Sequence, residues 1–292
     1  MRFRLISDYK NNEKYRKSFS NLAKNTFGLN FERWFQEGYC NDNYISYSYI
    51  DNDEVIANVS INKFTVIVDG KINNAIQLGT VMTDKLYRNE GLIRSLMNEI
   101  FKIYEKDSNF IYLFANDSVL NFYPKFGFKK VVESTYEIDL EEVDLVETNI
   151  RKLDVTCSQD HIIINRLCET RVPISNQLGI VNDKWPLKVY CNFMYSDNIY
   201  YINEDDCIII LSRYNGIINL YDILSESKIN LDTIIEKVVC NTDKKIIINF
   251  IPNCKKYKVK KGIKEEDDDT LFVRSNVELF NGEVLFPNTS HT

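Results

Sequence analysis

The chain has 292 residues, 44% hydrophobic and 27% charged, enough to bury a core in each of two ordinary domains. With 36 basic against 42 acidic residues its net charge is -6, which speaks against a nucleic-acid surface. There is no run of about 18 apolar residues and no apolar leader, and the seven cysteines are odd in number without a Cys-x-x-Cys pair. A cytoplasmic protein with reduced thiols, no membrane span and no metal is therefore expected.

In chain order, "EKYRKSFSNLAKNTF" and "FERWFQEG" space apolar and aromatic residues three to four apart, predicting two short amphipathic helices. "NYISYSYID" and "EVIANVSINKFTVIVDG" predict strands, with "DND" at 51–53 and "DGK" at 69–71 as hairpin turns. "NAIQLGTVMT" predicts a third strand of this meander. After the loop "LYRNEG" comes a helix whose Leu92, Leu96, Ile100 and Ile103, joined by Ile93, Met97 and Phe101, form a broad apolar face. "FIYLFAND" predicts the next strand. From Ser134 to Asp154 the chain turns acidic and, after "TYEIDL", loses its pattern, as a link between domains would.

The second half opens on the helix "SQDHIIINRLCETR". Strands "NIYYIN", "CIIILSRY" and "GIINLYDILS", a helix "NLDTIIEKVV" and a strand "KKIIINFIPN" follow. Meander, helix, strand repeats the order of the first half, but "SESKIN" stands where the first half has "LYRNEG" and contains no glycine. The acidic run Glu265 to Asp269 reads as a solvated loop. The expected division is 1–140, a linker at 141–155, and 156–292.

Gly91 sits between a strand and the mouth of a helix, where unpaired backbone N–H groups and the helix dipole suit an anion. Glycine there leaves room for a phosphate, and Arg88 or Arg94 can add charge-assisted bonds. Downstream, Asn116 and Tyr123 lie seven residues apart before Phe126-Gly127-Phe128. This arrangement, over roughly Tyr47 to Val131, resembles the GNAT acetyltransferases. The second half resembles the middle region of the enhanced-intracellular-survival type.

The resemblance implies an α/β (α+β) fold with a mixed, mostly antiparallel sheet flanked by helices, followed by a degenerate second domain of the same kind. It implies N-acetylation of a small-molecule amine with acetyl-CoA as donor, self-association being left open. The loop pattern Gln/Arg-x-x-Gly-x-Gly/Ala is matched by Arg88 and Gly91, while Ile93 replaces the small residue. It implies that Val81, Met82 and Thr83 pair with the pantetheine arm, and that the backbone of Arg88, Asn89, Glu90, Gly91, Leu92 and Ile93 holds the pyrophosphate. It also places Asn116 on the pantetheine.

Acetyl transfer needs a neutral amine, a stabilised oxyanion and a proton for the leaving thiolate. On the resemblance, the Met82 N–H serves the carbonyl oxygen and Tyr123 is the proton donor. The base is open between Asp84, Asp117, a water, His291 and the terminal carboxylate of Thr292, which reaches the first domain's site in the enhanced-intracellular-survival type. His161 reads as structural. Phe31, Trp34 and Phe35 either line the acceptor pocket or fill the core. The competing reading is an acyl-CoA sensor without catalysis.

Overall fold

The computed structural model describes residues 2–140, 143, 146, 148–181, 183–265, 268–280 and 282–292. Strand β1 (Arg4–Ser7) leads into helices α1 (Glu13–Phe27) and α2 (Glu32–Gln36). The meander β2 (Tyr44–Asp51), β3 (Glu54–Val68) and β4 (Lys71–Thr83) is followed by α3 (Leu92–Tyr104) and β5 (Phe110–Ala115). Its hairpins turn on Asn52 and Asp53 (φ 48° and 68°) and on Asp69 and Gly70 (φ 47° and 75°), the two-residue turns that suit right-twisted strands. Beyond two single 3-10 turns come β6 (Lys129–Lys130), β7 (Ser134–Asp139), β8 (Ile150–Lys152), α4 (Ser158–Thr170), β9 (Leu178–Ile180) and α5 (Lys184–Val189). The chain ends with β10 (Ile199–Ile202), β11 (Cys207–Tyr214), β12 (Ile217–Ser225), α6 (Leu231–Val238), β13 (Lys245–Ile248), β14 (Lys260–Ile263) and β15 (Thr270–Arg274).

Two mixed sheets result. One runs β1-β2-β3-β4-β5-β15-β6 with β9 paired to the end of β3, and the other β14-β7-β13-β12-β11-β10-β8. Within each, three antiparallel strands are followed by a helix and a strand parallel to the third: β5 beside β4, and β13 beside β12. The order expected from sequence is thus present twice.

The sheets do not follow the expected boundaries. β7, within 1–140, pairs with β13 in the second sheet, and β15, within 156–292, lies between β5 and β6 in the first. Alternating burial shows that a segment is a strand but not which strand it will pair with. Five of the expected linker residues, 141, 142, 144, 145 and 147, lie outside the described residues.

One core fills the space between the sheets, joining Phe64, Val66, Phe110 and Tyr112 of the first to Ile209, Leu211, Ile218 and Ile246 of the second. On the opposite face of the first sheet, α3 buries Leu92, Leu96, Met97, Ile100 and Phe101. Ile103, expected on that face, is 44% exposed because it stands at the rim of the stripe in the last turn. Helices α1 and α2 cover the other face with an aromatic cluster that includes Trp34 and Trp185. Among the described residues, no helix is long and apolar enough to cross a membrane.

Candidate active site

The first sheet opens beside α3. β4 and β5 pair in parallel at Ala75 to Gln77 with Phe110 to Tyr112 and then separate, so Leu78 to Thr83 lie along an edge without a β5 partner. A bulge sharpens the separation: the register against β3 shifts between Asn58 and Ser60, and Thr80 takes φ +48°. Asn58 Nδ2 donates to the Thr80 carbonyl at 2.8 Å, and the Tyr44 hydroxyl lies 3.2 Å from Thr80 Oγ1, so buried side chains hold the bulge in place.

Donors to one neighbouring strand alternate along an antiparallel ladder. Asp84 N–H donates to Ile56 O at 2.8 Å, and Met82 is the register partner of Asn58. The Met82 N–H therefore also turns towards β3, and its side chain is buried in the aromatic cluster. The N–H of Thr83 is the one left on the open edge. The Met82 N–H, expected from the resemblance to face the acyl carbonyl, thus turns into the ladder with β3, and Thr83 presents the neighbouring N–H to the split.

The loop after β4 is set by its own side chains. Asp84 Oδ1 accepts from Leu86 N–H at 2.9 Å, capping a 3-10 turn at Lys85–Tyr87, so Asp84 supports the loop. Asn89 (φ 66°) and Gly91 (φ 76°) are both left-handed, and Gly91 is the N-cap of α3. A Cβ at Gly91 would meet nothing within 4 Å. The glycine is thus required by its backbone conformation, and clearance from other protein atoms plays no part. An open cavity of about 220 Å³ borders it, lined by Arg2, Phe3, Tyr49, Glu90, Leu92 and Ser95. Arg88 is exposed, Arg94 lies over the Phe126 ring, and Ile93 packs against the α3 core.

Beyond β5, Asn116 Oδ1 accepts from Ser118 N–H at 3.2 Å and from its hydroxyl at 2.6 Å, capping the 3-10 turn Asp117–Val119. Tyr123 is buried against Phe122, Phe128 and Phe272, and burial pushes its phenol up to about 12. Gly127 (φ 82°) makes the turn between Phe126 and Phe128, where a Cβ would stand 2.7 Å from Arg274 Nη1.

The tail lies across the mouth of the split. Gly79 and Phe114 each stand two residues past the last β4–β5 pair, hence on the same side of the sheet. A Cβ on Gly79 would come 2.7 Å from the Thr292 backbone oxygen. The Thr292 hydroxyl bonds to Gln77 Oε1 and accepts from Asn62 Nδ2 at 2.7 Å; Asn62 Oδ1 accepts from Trp185 Nε1 at 2.8 Å. His291 stacks on Phe114, and its backbone oxygen accepts from the Tyr190 hydroxyl at 3.1 Å.

Sequence reasoning missed Asn62, Gln77, Phe114, Trp185, Tyr190 and Asp269. The available signal was Asn58, Ser60 and Asn62, a polar stripe at period two on β3 that reads as a solvent face yet is wholly buried. Phe31, Trp34 and Phe35 pack on one another in the core beneath α1 and α2. His161 lies half-buried on α4. In the acidic run, Asp269 pairs with His291; Glu266 and Asp267 lie outside the described residues.

The second sheet has the matching split after Leu220 and Ile248, and it is closed. Asp222, two residues on as Gly79 is in the first sheet, is 1% exposed, lies 3.3 Å from Arg171, and accepts from the Thr289 hydroxyl. Arg171 also pairs with the buried Asp183. The N-cap before α6 is Asn230 at φ -90°, so no left-handed turn stands there.

Residues 10–131 match the family model for the acetyltransferase (GNAT) domain. No curated protein matches the chain. Among solved structures, a conserved protein of unknown function from Enterococcus faecalis V583, titled a probable N-acyltransferase, aligns with a TM-score of 0.60 at 16% identity, over 94% of this chain and 72% of its own. Eis1 from Mycobacterium abscessus gives 0.59 at 13% identity over 94% and 73%. A GCN5-related N-acetyltransferase from Kribbella flavida gives 0.56 at 13% over 93% and 70%. These likenesses are of fold, and they extend over both sheets. Through residues 10–131 the chain carries an acetyltransferase domain of the GNAT family, and it is an acyltransferase by that domain.

Proposed function

We propose that the protein transfers an acetyl group directly from acetyl-CoA to the amine of a small molecule, in a catalytic unit built on the first sheet. The observation that carries this reading is the β4–β5 split lying directly ahead of a helix whose N-terminus is headed by a left-handed glycine facing open space. The residues fit the donor. The N–H groups of Asn89 to Ile93 suit a pyrophosphate, the open edge from Val81 to Thr83 suits the amides of the pantetheine arm, and Asn116 retains its Nδ2 for the same arm. When bound, acetyl-CoA supplies an activated acyl carbon and a thiolate leaving group.

In this reading the Thr83 N–H stabilises the developing oxyanion. Tyr123 offers its hydroxyl to the departing sulfur, and the tail, with His291 and Thr292 at the mouth of the split, supplies the base. The second unit binds no donor, because a buried ion cluster fills its split and its helix lacks the glycine turn. It contributes the tail instead.

A panel of primary amines tests the proposal by following free thiol. Thiol release is expected only when an amine is present, and Gly91→Glu should abolish both turnover and the thermal stabilisation by acetyl-CoA. That stabilisation is about 2.7 kcal/mol at a hundred times the dissociation constant. Binding without amine-dependent thiol release would replace the enzyme by an acyl-CoA sensor.

A further inference from the structure

The loop before β15 and the tail, far apart in sequence, bring an aspartate and a histidine together. Asp269 Oδ2 lies 2.8 Å from His291 Nδ1. The imidazole is 12% exposed and stacks on Phe114 with ring centroids 3.6 Å apart and planes 17° from parallel. Its Nε2 is buried and has no hydrogen-bond partner among the described residues.

Burial works to raise the Asp269 carboxyl, but the hydrogen bond and charge of His291, with Lys264 nearby, hold it below the usual carboxylate range. An ionised carboxylate can only accept, so a neutral His291 carries its proton on Nδ1 and leaves Nε2 as a bare acceptor. A buried acceptor with nothing to accept is destabilised, and an N–H from a ligand removes that penalty.

We infer that Asp269 is a positioning residue, fixing the tautomer of His291 so that His291 Nε2 takes the proton of the acceptor amine. The inference rests on reading the β4–β5 split as the transfer site, because His291 on Phe114 and Thr292 on Gly79 straddle its mouth. The amine nitrogen bonds to the thioester carbonyl carbon, and one of its protons passes to His291 Nε2. The C–S bond then breaks with its electron pair going to sulfur, which accepts a hydrogen bond from the Tyr123 hydroxyl and takes its proton from water. Solvent takes the proton from His291 and restores it.

The sequence holds two histidines, so His161→Gln leaves His291 as the sole imidazole for nitrogen-15 NMR. In that background Nδ1 should be protonated and Nε2 bare. Asp269→Ala should lose this tautomer and lower kcat by at least about tenfold, within the range of general-base effects, with coenzyme A affinity unchanged. Asp269→Asn keeps an acceptor for Nδ1–H and should recover the tautomer and part of the rate; a contact that merely latches the tail would change the melting temperature without this split. A protonated Nε2 in the parent, or parent-like kcat from Asp269→Ala, overturns the inference while leaving the site's function standing. A parent that releases no thiol with any amine overturns the reading of the site and this inference with it.

Discussion

Removing Ser290 to Thr292 is expected to lower kcat by about 10²–10⁴, the range for loss of a proton-transfer group, while the dissociation constant for coenzyme A changes little. The deleted residues touch Gln77, Asn62, Gly79 and Phe114 at the mouth of the split and none of the turn around Gly91. Thr289 remains on Asp222, so the buried ion cluster keeps its hydroxyl. Gly79→Ala should act in the same direction in the full chain, because its Cβ would fall 2.7 Å from one backbone atom of Thr292 and 3.1 Å from another. Backbone cannot yield as a flexible side chain does, and a misplacement of about 1 Å can cost about 10²-fold. Steady-state thiol release with equilibrium binding separates the two effects. Parent-like turnover from the truncated chain would return the base to a water or a carboxylate such as Asp117.

Tyr123→Phe is expected to lower kcat by about 10²–10³, the cost of removing one well-placed donor at a developing charge, with coenzyme A affinity unchanged. Burial holds the phenol up near 12, against a thiol reference value of about 8.5. Full proton transfer would then run uphill by about 3.5 units, or roughly 5 kcal/mol at 1.36 kcal/mol per unit. The hydroxyl therefore serves the sulfur as a hydrogen-bond donor, and water completes the protonation. A raised tyrosine value keeps the neutral form beyond the ordinary 10, so Tyr123 should put no alkaline limb on kcat between pH 8 and 10. The fold should be unharmed, because no hydrogen bond from the described residues ends on this hydroxyl. Parent-like turnover when chemistry limits the rate would make Tyr123 a packing residue, and lost affinity would make it a cofactor contact.

The repeated order of strands and helices was legible because each core segment carries its own period: alternation in β2 and β3, and three-to-four spacing in α1, α3, α4 and α6. Gly91 and the hairpin turns were legible because left-handed backbone selects few residues. β15 was not, since "TLFVR" follows an acidic loop and gains its place only by pairing with a strand 155 residues earlier, Thr270 with Ala115. Nor was the polar face of β3. Asn58, Ser60 and Asn62 alternate as surface residues do, yet Tyr44, Thr80, Trp185 and Thr292 satisfy them inside the molecule. The pairing of Asp269 with His291 depends on the tail crossing from one sheet to the other, which no local pattern encodes.

The most direct measurement is a crystal structure with coenzyme A bound. The account predicts a pyrophosphate on the N–H groups of Asn89 to Ile93, a pantetheine arm along Val81 to Thr83, and a sulfur at the mouth between Gly79 and Phe114 within reach of Tyr123. Coenzyme A lodged in the second sheet beside Asp222, or bound away from Gly91 in the first, would contradict it.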